Sequence, residues 1–211
     1  MLKKRTQQER TAETRSALVE AAIEVICQQG YDAASTALIA ERAGVSRGAI
    51  LHHFGTRAAL MAQVVESVWQ SEWQQYEAIL ASGEVGHRVW DWPTILWNVL
   101  GQPSGLAVLD ILQATQSDPE LAKSVRPSQI AVEAAALQGM RADLGGTEQE
   151  ALTLMRLMVW AVRGLSFADR FMPNPSATRS AVELLCQLLR LAAPAGQIDE
   201  LPFRLPADRQ H

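Results

Sequence analysis

The residues best suited to chemistry lie between Ser35 and Arg57, and what their types offer is hydrogen bonding to phosphates and to the edges of bases. Ser35 and Thr36 stand where one short helix would begin, Ser46 where a second would, and Thr56 and Arg57 where a third would. The first N–H groups of a helix lack internal partners and sit at the positive end of its dipole, so they attract phosphate. After Ser46 come Arg47, Gly48 and Ala49, then Leu51, His52 and His53. On a helix these would form a reading face: arginine donates to guanine or phosphate, and leucine touches a thymine methyl. His52 and His53 do not suggest a metal, because adjacent helical side chains point about 100° apart. Contact with a nucleic acid by one, and packing or capping by the other, fits them better.

Such a face needs elements to hold it. Leu38, Ile39, Val45 and Ile50 can form a small shared core between two short helices, Thr36–Arg42 and Ser46–His53. Ala43-Gly44-Val45 reads as a tight turn in which Gly44 supplies the backbone freedom. Ala40 and Ala43 are small where the helices would cross, and Ser46 can cap the second. Two helices crossed in this way can lay the second in a major groove. An ordinary helical corner is the bland alternative.

The rest of the chain repeats the helical signal. Thr6-Gln7-Gln8-Glu9 fits a capping box ahead of Leu18, Ala22, Val25 and Ile26, and Gly30 stops that helix. Thr56 can cap a long helix through Leu60, Val64, Val68 and Leu80, broken by Ser82-Gly83. Further helices are expected at Trp92–Leu100 and Gly105–Gln116. Another runs from Asp118-Pro119-Glu120 towards Met140, kinked or interrupted near Pro127. Thr147-Glu148-Gln149-Glu150 is a second capping box opening the longest apolar helix, to Phe171, and Asn174-Pro175 starts the last, ending near Ala193. No alternating strand pattern occurs, so the expected fold is all-α with about nine helices. The expected divisions are residues 1–55 for the helix-turn-helix domain, 56–193 for a regulatory domain, and 194–211 for an irregular tail.

Charge supports that division. The chain carries a net charge of −4, yet residues 1–60 hold eight basic and six acidic groups, and the remainder eleven and seventeen. A basic N-terminal part facing an acidic remainder suggests a polyanion partner for the first. Lys3, Lys4 and Arg5 read equally as an arm over that partner or as a solubilising tail. Cys27 and Cys186 have no Cys or His at metal-ligand spacing, so reduced thiols in the cytoplasm are expected. Polar residues 6–9 interrupt any signal peptide. No apolar run is read as long enough to span a membrane. Neither a phosphate loop, zinc spacing nor nucleophile elbow is present, so no cofactor, metal or catalytic residue is expected, and His87 reads as exposed.

With these residues in place, the stretch around Thr36, Ile39-Ala40, Ala43-Gly44-Val45-Ser46, Gly48, His53-Phe54 and Leu60 resembles the N-terminal domain of the TetR (tetracycline repressor) family of bacterial regulators. The resemblance covers roughly residues 10–65. It implies a three-helix DNA-binding domain, a helical regulatory domain, a homodimer joined through its last two long helices, a palindromic double-stranded operator, and a small-molecule inducer. It places Arg47, Gly48, Leu51, His52 and His53 on the reading face, with Thr36 and Arg57 on phosphates. Two positions depart from the family pattern. Leu51 replaces its usual tyrosine, and Arg57 its usual lysine.

Two further features bear on what is sensed. Five of the six tryptophans are Trp69, Trp73, Trp90, Trp92 and Trp97. Trp69, Trp73 and Trp97, with Asn98, Asp110 and Gln113, are candidates to line a pocket for an apolar or aromatic ligand; indoles that merely fill a core are the equal alternative. On the last two helices, Leu152, Met155, Val159 and Val162 share one face and Leu154, Met158, Ala161 and Leu165 another. Ala181, Leu184, Leu185 and Leu188 lie beside Val182, Cys186 and Leu189. Apolar cover this wide fits one face turned inward and one against a second subunit. Arg163, if buried, needs a partner, whether across a dimer, in a ligand or in the core. The competing reading is an all-α carrier or enzyme that keeps a helix-turn-helix only as structure.

Overall fold

The computed structural model describes residues 7–203 other than residue 84. Among the described residues there are nine α-helices, two single 3-10 turns and no strand. They are α1 (Gln7–Gln29), α2 (Thr36–Arg42), α3 (Arg47–Phe54), α4 (Arg57–Ala81), α5 (Trp92–Leu100), α6 (Pro103–Ala114), α7 (Pro119–Leu144), α8 (Glu148–Phe171) and α9 (Pro175–Ala192). Thr6, which begins the capping box expected at residues 6–9, and the basic cluster Lys3, Lys4 and Arg5 lie outside the described residues.

These elements divide into two compact units, with the divisions falling inside α4, between α5 and α6, and inside α7. The first unit takes the chain up to Trp73 together with Gln102–Val132; the second takes Gln74–Gly101 and everything from Glu133 on. Residue 55, the expected end of the DNA-binding domain, lies inside the first unit. That unit's core joins Leu18, Ala22, Val25 and Ile26 of α1 to Ile39, Ile50, Leu60, Val64 and Val65. Ala107, Val108 and Ile111 of α6 and Leu121 and Val125 of α7 complete it. The apolar stripe of α1 is thus spent on helices from both chain segments.

In the second unit α5 lies against α8 and α9. Leu96, Val99 and Leu100 pack there with Leu154, Met158, Val162 and Leu189. Both ends of this scaffold are capped as their residues dictate. Thr147 Oγ1 accepts from the Glu150 amide (3.3 Å) while Glu150 Oε2 accepts from the Thr147 amide (2.8 Å). The Thr147 amide first, then the Thr147 hydroxyl, which donates to the same Oε2 (2.8 Å), pull the Glu150 carboxyl below its ordinary pKa. Asn174 Oδ1 caps α9 through the Ala177 amide (3.1 Å).

Four expectations are revised. α7 runs unbroken through Pro127: both Pro127 and Lys123, whose carbonyl loses its amide donor, are exposed, a setting in which solvent can replace the lost bond. The segment after α9 is not featureless up to Phe203. Gly196 O accepts from Val89 N (3.0 Å), the Glu200 carboxylate accepts from Ala195 N (2.8 Å), and Ile198 is completely buried. Third, α8 has the length and apolarity to cross a membrane, with 39% of its apolar window buried. The buried Arg163 on it would be costly in hydrocarbon. Last, the faces of α8 differ from those expected. Ala151, Leu154, Met155, Met158 and Val162 are buried, whereas Leu157, Trp160, Phe167 and Phe171 are exposed.

Candidate nucleic-acid interface

The candidate interface is built from α2, α3 and the first turn of α4. Ser35 adopts an extended conformation (φ −70°, ψ 154°), and its Oγ accepts from the Leu38 amide at 3.2 Å, which starts α2. α2 ends in a Schellman turn. The Val45 amide donates to Ala40 O (3.0 Å) and the Gly44 amide to Glu41 O (3.1 Å). Gly44 sits at φ +68°, in the left-handed region where a Cβ is unfavourable. This turn, with Ile39 and Ile50 completely buried and Leu38 and Val45 packed on them, fixes how α3 crosses α2.

Ser46 occupies the cap position of α3 in extended conformation, but its hydroxyl makes no capping bond. The α3 amides at that end therefore lack the side-chain acceptor Ser35 gives α2. Ser46, Arg47, Gly48, Leu51 and His52 are exposed; Ala49 and His53 are half-buried. Leu51 is 66% exposed, a large apolar side chain on an otherwise polar face. The rings of His52 and His53 meet edge-on at 4.9 Å. Desolvation first, then the neighbouring His52 and Arg15, hold the His53 imidazole below its ordinary pKa. Among the described residues no group of His, Cys, Asp or Glu is arranged to hold a metal ion.

The flanking positions divide into two kinds. Ser35 is exposed and Thr36 half-buried at the start of α2. Thr56 Oγ1 accepts from the Ala59 amide (3.1 Å) and opens α4. Arg57 is turned inward: Nη1 donates to Tyr31 Oη (2.8 Å), Nη2 to Tyr31 O (2.8 Å) and Nε to Ala34 O (3.1 Å). Its guanidinium also lies 4.1 Å over the Tyr31 ring. Three bonds and a ring contact tie the loop before α2 to α4. Burial outweighs the adjacent cation and raises the Tyr31 phenol pKa, so it stays neutral.

A second arginine, absent from the sequence reading, does the same at the other end of α3. Arg15 of α1 donates through Nη1 to the carbonyl of His53 and through Nη2 to Gln63 Oε1 of α4 (2.9 Å). Its guanidinium lies 4.4 Å over the Phe54 ring. No periodicity within α1 marks Arg15, because its partners are 38 and 48 residues away.

The residues suggested for ligand contact are spread over both units. Trp69 (9% exposed), Trp73, Asp110 and Gln113 belong to the first, and Trp97 and Asn98 to the second. Trp73, Asn98 and Gln113 are exposed, whereas Trp97 and Asp110 are half-buried. Trp90 is buried, with the guanidiniums of Arg88 and Arg190 over its ring at 5.5 and 5.2 Å, and Trp92 packs on Tyr76 at 6.2 Å. His87 is exposed and Arg163 buried.

Comparison with known proteins gives a consistent picture. Residues 18–64 match the family of bacterial regulatory proteins of the tetR type. Over 197 residues the chain is 27% identical to an uncharacterised HTH-type transcriptional regulator of Mycobacterium tuberculosis, covering 88% of this chain and 97% of that one. A transcriptional regulator from Rhodococcus superposes with a TM-score of 0.66 at 19% identity, over 84% of this chain and 96% of its own. The multidrug binding protein EbrR, solved with ethidium, superposes at 0.59 and 21% identity, over 83% and 98%. At these identities the two structural likenesses speak for the fold.

Proposed function

We propose that this chain, whose residues 18–64 match the tetR family of bacterial regulatory proteins, is a regulator of that family: a cytoplasmic repressor that binds a palindromic operator as a homodimer and is released by a small apolar or aromatic ligand. The observation that carries the DNA half of this reading is the exposed start of α3. Ser46, Arg47 and Gly48 project beyond the core beside amides without a side-chain cap. Arg47, Leu51 and His52 form the surface that meets base edges and phosphates, with Ser35, Thr36, Ala49 and His53 at its border. Arg57 supports that surface through Tyr31, and at the start of α4 beside it Thr56 already caps the Ala59 amide.

Dimerisation is supported by the exposed apolar face of α8, where Leu157, Trp160, Phe167 and Phe171 recur on one side, and by Leu184, Leu188 and Leu191 on α9. Apolar side chains grouped in this way mark an interaction surface, and a two-fold reader needs one. Two-fold symmetry sets half-sites about 34–36 Å apart, or a multiple of that. The ligand reading draws on Trp69, Trp73 and Trp97 and on EbrR, whose structures hold ethidium, proflavin and imidazole.

The test is selection of bound fragments from genomic DNA, followed by titration of Arg47→Ala against salt. We expect recovery of a palindrome, weaker binding by the variant, and a salt slope shallower by about one. Failure to retain any duplex at low salt, with turnover of a bound compound, would favour a carrier or enzyme that keeps the helix-turn-helix as structure.

A further inference from the structure

We infer that Arg15 is a positioning residue for operator reading: from α1 it fixes the C-terminal end of α3 against α4 without itself meeting DNA. The inference rests on α3 being the reading helix. Three contacts converge on this one guanidinium, namely the His53 carbonyl, Gln63 Oε1 at 2.9 Å and the face of Phe54 at 4.4 Å. The carbonyls at a helix C-terminus lack internal amide donors and form the negative end of its dipole. A cation placed there satisfies one of them and favours the helical end state. α3 has only eight residues and ends at Gly55 (φ +78°), so little of its own length resists tilting. Its start is held by the Schellman turn and Ile50. Its end is held by Arg15, which bonds α3 and α4 together from a third helix.

The planar fork makes the role specific to arginine. Two Nη groups reach different partners while the face stacks on a ring, a geometry a lysine ammonium does not reproduce. The charge also bears on His53, whose other titratable or charged neighbour is His52. Removing Arg15 therefore has a consequence that needs no DNA.

The experiment uses the full chain, a duplex recovered by in vitro selection and a random-sequence duplex of equal length. Arg15→Ala is expected to weaken the selected duplex about tenfold, with binding to random sequence and the salt slope nearly unchanged. In the free protein, the His53 imidazole of that variant should titrate at higher pH by NMR. Arg15→Lys keeps the charge and so the titration, but should bind DNA with intermediate affinity; Gln63→Ala should weaken the selected duplex less than Arg15→Ala. If Arg15→Ala does not fold, those two variants carry the test. Equal loss on both duplexes with a slope shallower by about one would make Arg15 a phosphate contact and overturn the proposal. Unchanged affinity and an unmoved His53 would overturn it too. A wild-type chain that binds no duplex, with His53 still shifting in Arg15→Ala, would instead sink the operator reading and leave the clamp.

Discussion

At the scale of single residues, the helix-turn-helix depends on a few positions whose geometry admits little substitution. Gly44 at φ +68° closes the turn between α2 and α3, and no neighbour lies within 4 Å of a Cβ built there. The cost of Gly44→Ala is therefore conformational, about 1–2 kcal/mol. We expect a lower denaturation midpoint with an unchanged denaturant slope; an undiminished midpoint would refute the strained-turn account. His53 gives a second expectation. Its folded pKa lies below the unfolded value near 6.5, so on acidification the unfolded chain takes up the proton first. Stability is full above that unfolded value and falls as pH drops through the folded one. Melting temperature measured from pH 7.5 to 5 should decline less steeply in His53→Gln than in the wild type. Parallel curves would show that His53 contributes nothing to the acid response.

At the scale of elements, much of the architecture was legible because capping and turn signals are local. Ser35, Thr147 and Asn174 accept the bonds expected of their positions, and Gly30, Gly44 and Gly83 lie in left-handed conformation at helix ends. What stayed hidden depends on partners distant in the chain. α8 is apolar on nearly every side, so periodicity alone does not tell which side meets α5 and which is left uncovered. In the fold Met155 and Val162 turn inward, and Trp160 stands 58% exposed. The roles of Arg15, Arg57 and Tyr31 are of the same kind, since an arginine on an amphipathic helix looks like any solvated charge. The uncovered side of α8 and α9 carries its own prediction. A large indole at the centre of a buried interface typically contributes about 2 kcal/mol or more, some thirtyfold in dissociation constant. Trp160→Glu, which also places a charge there, should turn a dimer into a monomer in sedimentation velocity and weaken operator binding with it, while far-ultraviolet circular dichroism stays unchanged. An undisturbed dimer would move the subunit contact away from this face.

At the scale of the whole molecule, α2 and α3 share their core with residues that come much later in the chain. α6 lies against α1 in the first unit, where the Cys27 thiol donates to the Pro103 carbonyl at 3.1 Å. Asp110 and Gln113 stand on α6, and Arg15 on α1. Anything that bears on α6 therefore bears on the unit that holds α3. The same sharing makes the DNA-binding half unfit to stand alone. A fragment ending at Ala81 would lack Ala107, Val108, Ile111, Leu121 and Val125, all completely buried. Full burial of a Val, Leu or Ile is worth about 1.5–3 kcal/mol, and whole domains are stable by only about 5–15 kcal/mol. Losing four such side chains, with their apolar partners on α1 and α4 left facing water, consumes most or all of that margin. The fragment of residues 1–81 should keep helical circular dichroism but lose the near-ultraviolet signal of Trp69 and Trp73 and melt without a cooperative transition. Supplying residues 102–132 as a separate peptide should restore part of both. A fragment that melts sharply at the temperature of the full chain would show that α1 to α4 form a self-sufficient core, and that α6 only leans on it.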